Sequence, residues 1–427
     1  GYGRSDVAPF SDIDLLFIYS NKDKSIKEFI SQLNNALWDI GLEIGISFLT
    51  INEALKDSKK DIKTLTKFLE SRYLVGDKEL YNEYLRNIKI LTGRLNPLKL
   101  CKQKLQELFM RHNNALGTKS TLEPNIKEGV GCLRDIHTIL WVSNFLFDVR
   151  KVDELESLDI LSSSEIEELK IAWNFLITVR SLNHSLNQSK GDVISIENQL
   201  KIAKHLKYKD TNYKARKKEM GVEKFMKDLF VHITKVSEIL NLFYSKLPEE
   251  LIISTIFQQG SKIKNYKNKN FKITKGFLDF KKYDFKNITL NWLSLLEDSL
   301  NKDIIVHPKV LGSLKKNYKK IPTKLKTEDF KIIRSIIISH KNPVRILRHL
   351  NDSRILNVIF PEFGRVWGQV QYDIYHQYTT DEHLILTLHH LHELLKIPFN
   401  KKLYMQLKDK PAIHIALLFH DIGKRGP

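Results

Sequence analysis

The chain has 427 residues, enough for two or three domains at the usual domain size. Its 42% apolar and 28% charged residues exclude a wholly disordered chain, and no apolar run approaches the roughly 20 residues of a spanning helix. The net charge is +19, from 54 lysines and 15 arginines against 50 acids. The lysines are spread along the chain, so the charge reads mainly as composition, and nucleic acid is not an expected partner. Cys101 and Cys132 cannot build a disulfide framework, so a reducing cytoplasm is expected. The chain opens at Gly1 with neither methionine nor signal peptide, and is expected to be a fragment.

Residues 1–20 read as a turn and then a buried strand through Ile13 and Leu15 to Ile18. Residues 25–40 carry helical spacing, Gly41 suits a helix stop, and Ile44 to Ile51 reads as a second strand. Beyond residue 51 no strand series is expected. Helices are predicted near 61–75, 97–116, 133–148, 164–188, 195–206, 220–246, 292–300 and 327–339. The lysine-rich stretch 261–287, with Tyr266, Phe271, Phe277 and Tyr283 interleaved, could hold a single strand of nucleic acid. It reads more readily as a solvated linker at a domain boundary. The fold class expected is α+β: a small mixed-sheet core, an all-helical region, and a further set of helices.

Three constellations carry chemistry. In the first, Asp12 and Asp14 are two apart on a strand, so both carboxylates leave one face. Like charges side by side call for a cation between them, and magnesium takes carboxylate and phosphate oxygens together. The upstream turn Gly1-Tyr2-Gly3-Arg4 and the nearby Ser11 could cradle a triphosphate. The plain alternative is a turn and a strand with two solvent-facing acids. In the second, Gly129 and Gly131 precede a helix whose first turn holds Arg134 and Asp135. That is an ordinary helix start, or a helix N-terminus aimed at phosphate with Arg134 as a clamp. In the third, the apolar run 415–419 leads into His420-Asp421, and His383 begins another helix upstream. Imidazole and carboxylate together suit a divalent cation. His389, His390, His392 and His414 are left outside that set.

The first segment resembles the nucleotidyltransferase superfamily that includes DNA polymerase beta. The third resembles the HD phosphohydrolases. The order of Gly-Tyr-Gly-Arg, Ser-Asp-Ile-Asp, Leu-Glu-Pro-Asn-Ile-Lys, Gly-x-Gly-x-Leu-Arg-Asp-Ile-His and the run 372–383, with Glu70-Ser71-Arg72 between, looks like the bifunctional PII uridylyltransferase/uridylyl-removing enzymes. Ser5 and Cys132 stand where that family usually has glycine. The resemblance implies a nucleotidyltransferase core at 1–95, an associated helical domain at 96–260, linker and helices at 261–350, and the opening of an HD domain at 351–427. It implies UMP transfer from UTP to a tyrosine of the PII signalling protein, and hydrolysis of UMP from modified PII. Magnesium would sit at Asp12 and Asp14. The same metal, or manganese, would sit at His383, His420 and Asp421. Gly1, Tyr2, Gly3, Arg4, Ser11 and Arg134 would face nucleotide. The third carboxylate of the transferase site is open between Glu43 and Asp135, since relatives carry that acid where this chain has Gly45. The last HD ligand and the glutamine-sensing domains are expected beyond Pro427. The rivals are an RNA nucleotidyltransferase of the CCA-adding type and a non-catalytic nucleotide-binding protein. The first should show an Arg-Arg-Asp element after the strand acids, and no Arg-Arg pair occurs in the chain.

Overall fold

A computed structural model describes residues 2–4, 6–20, 24–41, 44–114, 121–213, 217–255, 266–282, 288–320, 325–369 and 378–423. The chain divides into two compact units. One comprises residues 1–117, 125–208 and 235–237; the other comprises 118–124, 209–234 and 238–427. Most of the described residues are helical.

The first unit opens with strand β1 (Ile13–Ile18), helix α1 (Lys24–Asp39) and strand β2 (Ile44–Leu49). The strands pair in parallel, from Ile13 opposite Ile44 to Ile18 opposite Leu49. A parallel pair needs a crossover between its strands, and α1 supplies it. The second strand ends two residues earlier than its apolar pattern suggests. Thr50 and Glu53 form a capping box: the Glu53 N–H donates to Thr50 Oγ1 at 3.2 Å, and the Thr50 N–H donates to Glu53 Oε2 at 2.9 Å. Ile51 therefore starts helix α2 (Ile51–Ser58). Helices α3 (Ile62–Leu69), α4 (Lys78–Arg94) and α5 (Pro97–Asn114) follow, with Asp61 and Asp77 as N-caps of α3 and α4. Ala54, Phe68, Tyr84 and Ile88 form a small core on which Leu16, Ile18 and Leu49 of the strands pack. Helix α6 (Leu133–Phe147) lies against α5. After α7 (Glu154–Ser157), α8 (Ser163–Asn187) and α9 (Ile196–His205) pack together.

The second unit corrects the expectation that strands stop at residue 51. It contains two antiparallel hairpins, β3 (Thr211–Tyr213) with β4 (Lys217–Glu219) and β5 (Phe271–Thr274) with β6 (Phe277–Phe280). The second hairpin lies within the stretch read as a solvated linker. Its two-residue turn, Lys275-Gly276, has φ of 47° and 82°, the left-handed pair whose twist matches flanking strands. Phe271, Phe277, Leu278 and Phe280 are buried, and Phe280 meets Trp292 edge-on at 4.9 Å. One core runs from Phe271 through Trp292, Leu296, Ile336, Leu347 and Leu384 to Leu418. No described helix is long and apolar enough to cross a membrane.

Candidate active sites

In the first unit, Asp12 and Asp14 open onto a cavity of about 1130 Å³ that Gly3, Arg4 and Arg134 also line. The turn and helix motifs, represented by Arg4 and Arg134 and 130 residues apart in sequence, thus meet at one space. Only Asp14 lies on β1, with Asp12 just before it, and each faces an ammonium: Lys190 Nζ is 3.0 Å from Asp12 Oδ1, and Lys67 Nζ is 2.6 Å from Asp14 Oδ1. These lysines occupy positions a cation could take. Hard carboxylate oxygens held at a cavity edge suit magnesium. Gly45 pairs directly with Asp14 across the sheet, and a Cβ on it would lie 2.9 Å from Asp14 Oδ1. The bare glycine leaves that carboxylate its room. The Ser11 hydroxyl is buried with no hydrogen-bond partner among the described residues.

Arg4 ends a short 3₁₀ turn, Tyr2–Arg4. Its guanidinium pairs with Glu70, and Nη2 donates to His137 Nε2 at 3.0 Å. Burial first, then the charges of Arg4 and Arg134, hold the His137 pKa well below its usual value. Arg134 donates from Nε and Nη2 to Glu128 Oε1, at 3.0 and 2.8 Å, and lies over the Trp141 ring at 5.6 Å. Asp135 is fully buried: it pairs with Arg111, lies 3.0 Å from His112 Nε2, and accepts from the Gly131 N–H at 2.7 Å. Gly1, Glu43 and the side chain of Tyr2 lie outside the described residues.

Sequence reasoning missed Lys63 and Lys67, which line the same cavity from α3. Their spacing of four puts both on one helix face, a signal that was there to use. Lys190 carried none, being far from both motifs.

In the second unit, His383 sits in the first turn of the helix Thr380–Leu394, and His420 caps the helix Lys410–Phe419. His383, His420 and Asp421 offer ligand atoms all within 4.8 Å of one another. The two Nε2 atoms are 3.3 Å apart, and each lies near Asp421 Oδ2, at 3.7 and 3.5 Å. His420 Nδ1 is 2.8 Å from the Leu417 carbonyl. A carbonyl only accepts, so Nδ1 carries the proton and Nε2 presents its lone pair to the cluster. This donor set fits a divalent cation.

The start of the His383 helix is pinned from beneath. Asn351 donates to Asp381 at 2.7 Å, and Arg348 Nε donates to Glu382 Oε1 at 2.9 Å. Burial raises the pKa of both acids. Of the four histidines left out, His414 is bound to the Ile337 carbonyl at 3.0 Å and the Tyr404 hydroxyl at 2.9 Å. Residues 372–377 of the run preceding His383 lie outside the described residues.

Residues 99–244 match the family described as GlnD PII-uridylyltransferase. Over 99% of its length the chain is 30% identical to a bifunctional uridylyltransferase/uridylyl-removing enzyme of Azospirillum brasilense, and 32% identical to one of Rhodospirillum rubrum. Over all of its length it is 31% identical to the one of Cereibacter sphaeroides. It covers 46%, 46% and 47% of those proteins, so the chain spans about half the length of the curated relatives it matches. Along nearly its whole length, the chain is thus similar to the bifunctional uridylyltransferase/uridylyl-removing enzymes.

Proposed function

We propose that the first unit transfers UMP from UTP to a tyrosine hydroxyl of the PII signalling protein and releases pyrophosphate. The observation that carries this reading is the shared cavity, where Asp12 and Asp14 meet the glycine turn and Arg134. Asp12 and Asp14 would hold magnesium, which on binding neutralises charge on the triphosphate. The tyrosine hydroxyl gives its proton to solvent as its oxygen attacks the α-phosphorus, that atom's bond to the bridging oxygen breaks, and pyrophosphate leaves with the electron pair. On metal binding Lys67, which lines the cavity, would yield Asp14 to the cation and stand ready for the phosphates. In the second unit, His383, His420 and Asp421 would hold the metal of an HD-type hydrolase, magnesium or manganese, which supplies the Lewis acidity for splitting UMP from tyrosine. The activity belongs in the cytoplasm, where PII and UTP meet.

The test is pyrophosphate release with UTP plus PII, run beside CTP and ATP plus tRNA. Release with PII alone supports the reading; release with tRNA alone makes this a CCA-type enzyme; none makes it a binding protein. Asp12→Asn and Asp14→Asn should each lower transfer at least about a thousandfold, roughly 4 kcal/mol, with circular dichroism unchanged. Undiminished transfer at saturating magnesium would remove the acids from the mechanism.

A further inference from the structure

The Glu70-Ser71-Arg72 segment, singled out in the sequence, has no role in the chemistry above. We infer that Glu70 is a positioning residue for the transferase site, fixing the glycine turn against helix α6 through Arg4 and Trp141. This rests on the transferase reading.

Glu70 closes the C-terminus of α3. Its Oε1 forms an ion pair with the guanidinium of Arg4 and accepts from the indole N–H of Trp141 at 2.6 Å. Arg4 comes from the glycine turn and Trp141 from α6, so one carboxylate oxygen joins the two motifs. The pair is largely shielded, with side chains 14% and 22% exposed. Close approach of the backbone reinforces it. A Cβ on Gly3 would lie 1.8 Å from the Glu70 carbonyl oxygen, so the turn can sit on this segment only as glycine.

The far side of Arg4 is closed by His137, whose Nε2 accepts from Nη2 at 3.0 Å. That contact needs a neutral imidazole, as burial beside Arg4 and Arg134 ensures. Trp141 in turn carries Lys104 over its ring at 4.6 Å and Arg134 at 5.6 Å. One turn before Glu70 on the same helix, Lys67 reaches Asp14. The end of α3 thus sets the turn, the cations over Trp141 and a partner of the strand acids together. Arg4, held between Glu70 and His137, acts by fixing the turn's backbone and not as a direct phosphate clamp.

The experiment is a double-mutant cycle on the 427-residue chain, read by UTP binding and by kcat and KM for pyrophosphate release with PII. Glu70→Gln keeps the size and the acceptor for Trp141 but removes the charge that holds Arg4. It should raise the KM and Kd for UTP at least about tenfold, with kcat less affected. Arg4→Met should give a loss of the same size, and the double variant no more than either single one, because both break the same link. Additive losses, or an Arg4→Met loss far above that of Glu70→Gln, would overturn the assignment. If Glu70→Gln does not fold, Trp141→Phe serves instead: it keeps an aromatic ring but removes the N–H that Glu70 Oε1 accepts, and wild-type UTP affinity in it overturns the inference. A wild-type chain that releases no pyrophosphate with PII overturns the transferase reading and this role with it. Normal wild-type release retained in Glu70→Gln overturns this role alone.

Discussion

Asp135 shows how a residue can look catalytic in sequence and sit in a framework in space. Its carboxylate faces Arg111, His112 and the Gly131 N–H, and it has no exposed surface. Removing its charge leaves Arg111, 16% exposed, with the more distant Glu128 carboxylate, 3.9 Å from its Nε. We expect Asp135→Asn to cost about 3 kcal/mol, the low end for breaking a buried pair. Urea unfolding with and without magnesium checks it. An equal loss in both marks a structural acid; a loss seen only with magnesium makes Asp135 a metal ligand. The acids and histidines of the candidate sites were legible because charge repulsion and ligand chemistry constrain residue types within a short segment. Lys190 and Trp141 were not, because their roles arise only when distant helices meet the turn.

At the scale of elements, the helices over 97–114, 133–147, 163–187 and 221–246 follow the apolar period closely, since each buries one face. The errors came where local chemistry overrides period. Thr50 and Glu53 end a strand that hydrophobicity alone would extend. In β5–β6, Lys272 and Lys275 sit among Phe271, Phe277 and Phe280, and composition read as solvated linker hid a strand pattern. The signal was Lys275-Gly276 between Ile273-Thr274 and Phe277-Leu278, both pairs suited to strands. Gly276 holds φ of 82°, a region where a β-branched residue is strained. Gly276→Val should therefore destabilise the second unit by more than about 1 kcal/mol. Chemical denaturation followed by Trp292, which packs on Phe280, would report it. No change would mean the turn does not hold the hairpin in register.

For the whole molecule, acid stability follows from its histidines. Burial, named first in each case, lowers the pKa of His137 well below 6.5, that of His392 to about 4, and those of His232, His307, His389 and His414 to lesser degrees. In the unfolded chain these groups take up protons below about pH 6.5; in the native chain they do so only at lower pH. The unfolded state thus binds more protons, and stability falls as pH drops below 6.5, by at most about 1.4 kcal/mol per pH unit for each histidine and less for those partly exposed. Asp6, Asp381 and Glu382, whose pKa values burial raises, act in the opposite sense just above 3.8 and 4.5. His392 separates the two effects. Its Nε2 is buried without a hydrogen-bond partner among the described residues, and its ring lies 6.1 Å from that of His414. His414 Nδ1 donates to the Ile337 carbonyl, and its Nε2 faces the Tyr404 hydroxyl. After burial, the charge of His414, then those of His389 and His340, opposes a proton on His392, while Glu393 favours one. Replacing His392 with Gln removes its titration and leaves the acids in place. The melting temperature of His392→Gln should fall less steeply than that of the wild type as pH drops from 6.5 toward about 4. Parallel curves would show that His392 already carries its proton in the native fold.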